Sequence, residues 1–122
     1  MPNILLAEDD DSMRQFLELA LTRAGHNITA CEDGLKALDQ LRNTEKKYDM
    51  LLADIVMPGM DGIELSQKAT ELVPGLKVMF ITGLAAVAMG QRHTGSEHAR
   101  ILSKPFHLND LVAQVNEMLA VS

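Results

Sequence analysis

Met50-Leu51-Leu52-Ala53 is a continuous apolar run that ends in a single carboxylate, Asp54. A strand covered on one face alternates apolar and polar residues. An unbroken apolar run marks a strand covered on both faces, as in a parallel sheet between layers of helix. In an open parallel sheet the carboxyl ends of the strands are where ligands and chemistry collect. A carboxylate there is partly desolvated and needs a metal, a cation or a hydrogen-bond donor beside it. The turn Ile55-Val56-Met57 and then Pro58-Gly59 follow it.

Four more short, mainly apolar stretches read as strands. Residues 4–7 lead into Glu8-Asp9-Asp10-Asp11, residues 77–81 into Thr82-Gly83, and residues 99–102 into Ser103-Lys104-Pro105. Residues 28–31 read as a short strand at an edge. Segments of helical spacing lie between them. Met13, Phe16, Leu17, Ala20, Leu21 and Ala24 mark the first, with Gly25 just past its end. Leu35, Leu38 and Leu41 mark the second. Asp61 is placed to cap a third, with Leu65, Ala69, Leu72 and Val73 on one face and Pro74-Gly75 as its stop. Residues 84–89 are Ala-rich and weakly periodic, and read as a short, poorly anchored helix, the expected mobile element. Leu108, Leu111, Val112, Val115 and Leu119 line the last helix. Five strands alternating with five helices predict an α/β fold, a doubly wound parallel sheet of order 2-1-3-4-5 with right-handed crossovers.

Composition bounds the function. At 122 residues and 47% hydrophobic content, a single domain over residues 1–122 is expected, with no output domain after the last helix. Trp is absent and Phe and Tyr are few, so aliphatic residues and most of the eight Met fill the core. A net charge of −6 argues against nucleic acid as a partner, because phosphate neutralisation needs a basic face. The one cysteine, Cys31, forms no internal disulfide and reads as a small core residue. No apolar run reaches 18 residues and the N-terminus lacks a basic region before an apolar block, so neither a membrane span nor a signal peptide is expected. The expected compartment is the cytoplasm.

In the predicted strand order, strands 1, 3, 4 and 5 are neighbours. Their ends bring Glu8-Asp9, Asp54, Thr82 and Lys104 to one rim. Carboxylates about 5 Å apart at an effective dielectric near 20 repel by roughly 3 kcal/mol per pair. Lys104 is one group that offsets this, and a hard divalent cation is another. Magnesium suits few carboxylates, several waters and room for phosphate oxygens. A carboxylate beside such an ion, with a lysine and a hydroxyl opposite, has the parts for phosphoryl transfer through an acyl phosphate.

These motifs, Glu8-Asp9, Asp54 with Met57-Pro58-Gly59-Met60-Asp61-Gly62, Ile81-Thr82-Gly83 and Lys104-Pro105-Phe106, resemble those of a bacterial response-regulator receiver domain over essentially the whole chain. The resemblance implies a CheY-like, flavodoxin-like sheet. It implies that Asp54 is the phosphoacceptor for a histidine kinase or histidine phosphotransferase. By the same resemblance Asp9, Asp54 and the backbone carbonyl of Val56 bind magnesium, Glu8 helps through water, and Thr82 and Lys104 contact the phosphoryl group. The Lys104-Pro105 bond is cis in the family. The chain is then not an enzyme but a phosphoacceptor with at most slow self-phosphorylation and self-dephosphorylation. Leu102-Ser103-Lys104-Pro105-Phe106-His107-Leu108 and Val78-Met79-Phe80-Ile81-Thr82-Gly83 further resemble the CpdR type, stand-alone receivers of alphaproteobacteria that control proteolysis by the ClpXP protease. In that type the unphosphorylated form is the active adaptor.

The chain departs from the family in two places. The position three before Lys104, often aromatic in the family, is Ile101. The switch and partner face is therefore expected to use Thr82, Leu84 and Met89, Ile101 and His107, which opens the last helix. The residues two beyond Asp54 and two beyond Thr82 are Val56 and Leu84, which offer no side-chain donor to a hydrolytic water. Taken singly, each signal has an ordinary reading. Acids after strand 1 favour a helix N-terminus, and Asp10 and Asp11 are expected to remain caps. Thr82 suits any strand. His26, His93 and His98 read as surface histidines without metal spacing. Three functions compete: a phospho-dependent adaptor, a phosphorelay shuttle, and an aspartyl-phosphate hydrolase. The last usually carries a second Asp where this chain has Val56.

Overall fold

A computed structural model describes residues 1–43, 45–83 and 99–120. β1 (Asn3–Ala7), α1 (Asp11–Arg23), β2 (Asn27–Cys31), α2 (Gly34–Asn43), β3 (Met50–Asp54), α3 (Gly62–Leu72), β4 (Lys77–Thr82), β5 (Ala99–Ser103) and α4 (Leu108–Ala120) follow in order. The sheet is parallel throughout, ordered β2-β1-β3-β4-β5. This is the predicted order, with β2 at an edge. The segment read as a poorly anchored helix, with Leu84, Met89, His93 and His98, lies outside the described residues.

Strand alternation divides the core in two. Leu5, Leu51, Val78 and Phe80 face the layer of α2 and α3, while Ile4, Leu6, Leu52, Met79 and Ile81 face α1 and α4. Every residue of β3 is buried, which is why its sequence does not alternate. The caps fall where expected. Asp10 accepts from the Met13 amide at 2.9 Å and Asp61 from the Glu64 amide at 2.8 Å. Gly25 and Gly75 adopt φ of +99° and +88°, closing the turns after α1 and α3.

The helix faces differ from the periodicity in detail. In α2 the inward seam is Gly34, Ala37, Leu38 and Leu41, and Leu35 is 61% exposed. The i, i+3 spacing of Leu35, Leu38 and Leu41 caught two of these but missed the small residues that let the helix approach. Phe16 of α1 and Leu72 of α3 are likewise exposed. In α4 it is Met118, with Leu111 and Val115, that is buried.

His26 is not a surface histidine. It is 7% exposed, and its Nε2 lies 2.7 Å from Asn116 Oδ1. The tight turn at Gly25 brings His26, just before β2, against Asn116 of α4, 90 residues away in sequence. Cys31 is a buried core thiol, pushed up to about 11 by burial and then by the charge of Asp33.

Candidate functional site

β1 and β3 are adjacent and in register, Ala7 opposite Ala53. Glu8, just past β1, and Asp54, the last residue of β3, therefore emerge side by side. Glu8 is held by its main chain: its amide donates to the Cys31 carbonyl at 3.1 Å, and the Glu8 carbonyl accepts from Arg14 Nη1 at 2.9 Å. Arg14 went unnoticed in the sequence, where nothing but its place one turn into α1 distinguishes it. Asp54 is 8% exposed and Glu8 is 1% exposed.

Lys104 reaches both acids. Its Nζ lies 3.1 Å from Glu8 Oε1 and 3.1 Å from Asp54 Oδ2. Its amide donates to the Thr82 carbonyl at 2.6 Å, continuing the β4–β5 ladder by one step, and the Lys104-Pro105 bond is cis. Thr82 is fully buried at the end of β4, and its hydroxyl lies 3.4 Å from the Gly83 carbonyl, a weak bond at that length. Of the groups expected at one rim, Glu8, Asp54 and Lys104 meet directly, and Thr82 ends the strand between β3 and β5.

The electrostatics follow from burial. Glu8 is pushed up to about 7, first by desolvation and then by the hydrogen bond and charge of Asp54, with Lys104 opposing. For Lys104, burial works against the charge, but the bonds to Asp54 and Glu8 and their charges win and raise it. One ammonium is thus shared by two buried carboxylates. Asp9, exposed beside them, adds a third: oxygens of Glu8, Asp9 and Asp54 lie within 4.8 Å of one another. Crowded hard oxygen donors, with more negative charge than Lys104 offsets, fit a magnesium ion.

The loop after β3 is fixed by its backbone. Asp54 Oδ1 accepts from the Val56 amide at 3.2 Å, the Ile55 amide donates to the Ile81 carbonyl at 3.2 Å, and the Gly62 amide donates to the Ile55 carbonyl at 2.9 Å. The Val56 side chain is 64% exposed. Met57 and Met60 turn into the core. Gly62 is the residue that permits this closure, since a Cβ there would meet the Asp54 carbonyl oxygen at 2.2 Å. Its signal in the sequence was a glycine in the first turn of a helix, where it weakens the helix unless something must come close. Gly62→Ala is expected to lose about 3 kcal/mol of stability, read by urea unfolding, and to slow any chemistry at Asp54.

Ile101 on β5 and His107, just before α4, are exposed. The His107 carbonyl accepts from the Asp110 and Leu111 amides. Among the described residues, no helix is long and apolar enough to cross a membrane.

Comparison with known proteins agrees with this geometry. The chain is 52% identical over 119 residues to the response regulator receiver protein CpdR of Brucella abortus (strain 2308), covering 98% of each. It is 30% identical to the solved response regulator receiver protein of Sinorhizobium medicae WSM419, with a TM-score of 0.88 over 98% of this chain and 95% of that one. The response regulator TrrA of Thermotoga maritima, solved in complex with magnesium and BeF, is 26% identical, with a TM-score of 0.84 over 97% of this chain and 99% of that one. Residues 4–116 match the family described as the response regulator receiver domain. The chain belongs to the response regulator receiver domain family.

Proposed function

We propose that this chain is a phospho-switched adaptor whose Asp54 takes a phosphoryl group from a histidine kinase or histidine phosphotransferase. The observation that carries this reading is the Lys104 ammonium, 3.1 Å from both Glu8 and Asp54. It neutralises the nucleophile at rest and stands where the charge of an incoming phosphoryl group must be met. A magnesium ion held by Asp9, Asp54 and the Val56 carbonyl, with Glu8 reaching it through water, would supply further positive charge for the phosphoryl oxygens.

The chain's own groups account for the remaining steps. A carboxylate oxygen of Asp54 attacks phosphorus, the P–N bond to the donor imidazole breaks, and the imidazole leaves as the acyl phosphate forms. Lys104 shifts from the Asp54 carboxylate to a phosphoryl oxygen. The Thr82 hydroxyl, held only weakly at rest, donates to another. That movement of Thr82 and Lys104 pulls on the ends of β4 and β5, and biases a partner face formed by Leu84, Met89, Ile101 and His107.

The close and nearly full-length similarity to CpdR supports an adaptor role, with regulated proteolysis through a ClpX-type protease as its output and the cytoplasm as its compartment. The unphosphorylated form is then the one that engages the protease. Incubation with phosphoramidate and magnesium tests the acceptor assignment. We expect one phosphoryl group per chain, mapped to Asp54 and blocked by a chelator. Label on another residue would refute it.

Val56 and Leu84 provide no donor to orient a water, so self-dephosphorylation is slow. The acyl phosphate is expected to outlast that of receivers with polar residues at both positions, followed by loss of label after the donor is removed. Decay within seconds would contradict this. The same long lifetime favours the second reading, a relay that passes the phosphoryl group to another histidine, and transfer assays with purified phosphotransferases separate the two.

A further inference from the structure

Among the described residues, Leu35 is the leucine that the fold leaves most exposed. α2 turns Gly34, Ala37 and Leu38 inward and keeps Leu35 61% exposed in its first turn. Leu35 is not isolated there. A Cβ on Gly34 would lie 3.1 Å from Met60, so the missing side chain lets the start of α2 rest on the loop after β3. Leu35, Pro58 and Met60 thereby wall a cavity of about 230 Å³ that opens to solvent, with Asp9, Glu32 and Asp33 around it. Small-molecule pockets begin at about 300 Å³. This cavity has room for a protein side chain rather than a metabolite.

The rim says what kind of side chain. Glu32 is paired with Lys36, and Asp33 accepts from the Lys36 amide at 2.8 Å. Asp9 lines the same cavity. Three carboxylates against one ammonium leave the rim negative. A lining that is half apolar and half acidic matches a long side chain with an aliphatic stem and a cationic head, a lysine or arginine. The position says which partner brings it. Asp9 belongs both to this cavity and to the cluster around Asp54. A protein delivering a phosphohistidine to Asp54 must carry an anion up to that acidic rim, and a cationic side chain seated beside it offsets the repulsion.

We propose that the groove between Leu35, Pro58 and Met60 seats a lysine or arginine, flanked by apolar residues, of the protein that phosphorylates this chain. This rests on the reading of Asp54 as phosphoacceptor and names the partner chemistry of that site. The test compares two donors on the whole protein: phosphoramidate, and each purified, phosphorylated histidine phosphotransfer protein of the source cell. Leu35→Ser and the charge reversal Glu32→Lys are expected to slow transfer from the protein donor by about tenfold or more, the effect of losing one well-packed contact. Labelling by phosphoramidate is expected to stay at the wild-type rate, and Leu35→Met to keep transfer from the protein donor. Equal protein-donor rates for Leu35→Ser and wild type would overturn the groove assignment. So would an equal slowing with both donors, which would locate the effect at Asp54. A wild-type protein that takes no label from phosphoramidate would instead sink the acceptor reading itself.

Discussion

Asp54→Asn is expected to abolish phosphoryl uptake from every donor while leaving the fold in place. The reaction needs an anionic oxygen that can form a P–O bond, and an amide is not a nucleophile at neutral pH. The substitution is nearly isosteric, so β3 stays packed. Asp54 now accepts from the Val56 amide through one oxygen and from Lys104 through the other. A carboxamide has one oxygen and can keep only one of these bonds. The loss is about 1 kcal/mol, with Lys104 still paired to Glu8. Intact-mass measurement after incubation with phosphoramidate and magnesium checks the uptake, and circular dichroism checks the fold. A phosphorylated Asp54→Asn protein would mean that a different residue is the acceptor.

A second large effect concerns Glu8 in the metal-free protein. Burial, reinforced by Asp54, pushes its carboxyl from 4.5 up to about 7. Between those values the folded chain holds a proton that the unfolded chain has released. The contribution of Glu8 to stability is therefore present in full below pH 4.5 and is lost as pH rises through about 7. The loss is at most about 3.5 kcal/mol, taking each pKa unit as about 1.4 kcal/mol, and water reaching the site reduces it. Glu8→Gln removes the titration and keeps an oxygen facing Lys104. In chelator at pH 7.5, Glu8→Gln is expected to be the more stable protein. At pH 4.5 the two are expected to converge. Urea titrations across this range read the slope directly, and parallel curves for the two proteins would contradict the account. Adding magnesium at pH 7.5 is expected to stabilise the wild type more than Glu8→Gln, because the wild type has the extra charge to offset.

The helix faces show where reading a chain residue by residue falls short. Leu35, Phe16 and Leu72 each lie at helical spacing from a core residue, yet all three are exposed. Spacing gives the period of a helix, and its phase depends on which small residues let a neighbour approach. Gly34 against Met60 and Gly62 against Asp54 set that phase here. His26 looked like a surface histidine because nothing near it in sequence predicts a partner. Its partner, Asn116, is supplied by the far end of the chain.

What the sequence determined by itself was the architecture and which residues stand at the ends of its strands as candidates for the site. Unbroken apolar runs are required wherever a strand is covered on both sides, so the three inner strands were plain, the edge strands with Thr29 and Arg100 were legible as shorter apolar stretches, and the order of the sheet is the common one for five such strands. Glu8, Asp9, Asp54, Thr82 and Lys104 could be named because each sits where a strand runs out. Only the tertiary structure decided how they meet: one lysine shared between two buried acids, a backbone closed over Asp54 by Gly62, and Arg14 fixing the main chain of Glu8. The physical reason is range. Burial and strand periodicity are written into neighbouring residues, whereas distances of about 3 Å between groups 50 and 96 residues apart depend on how the layers finally pack.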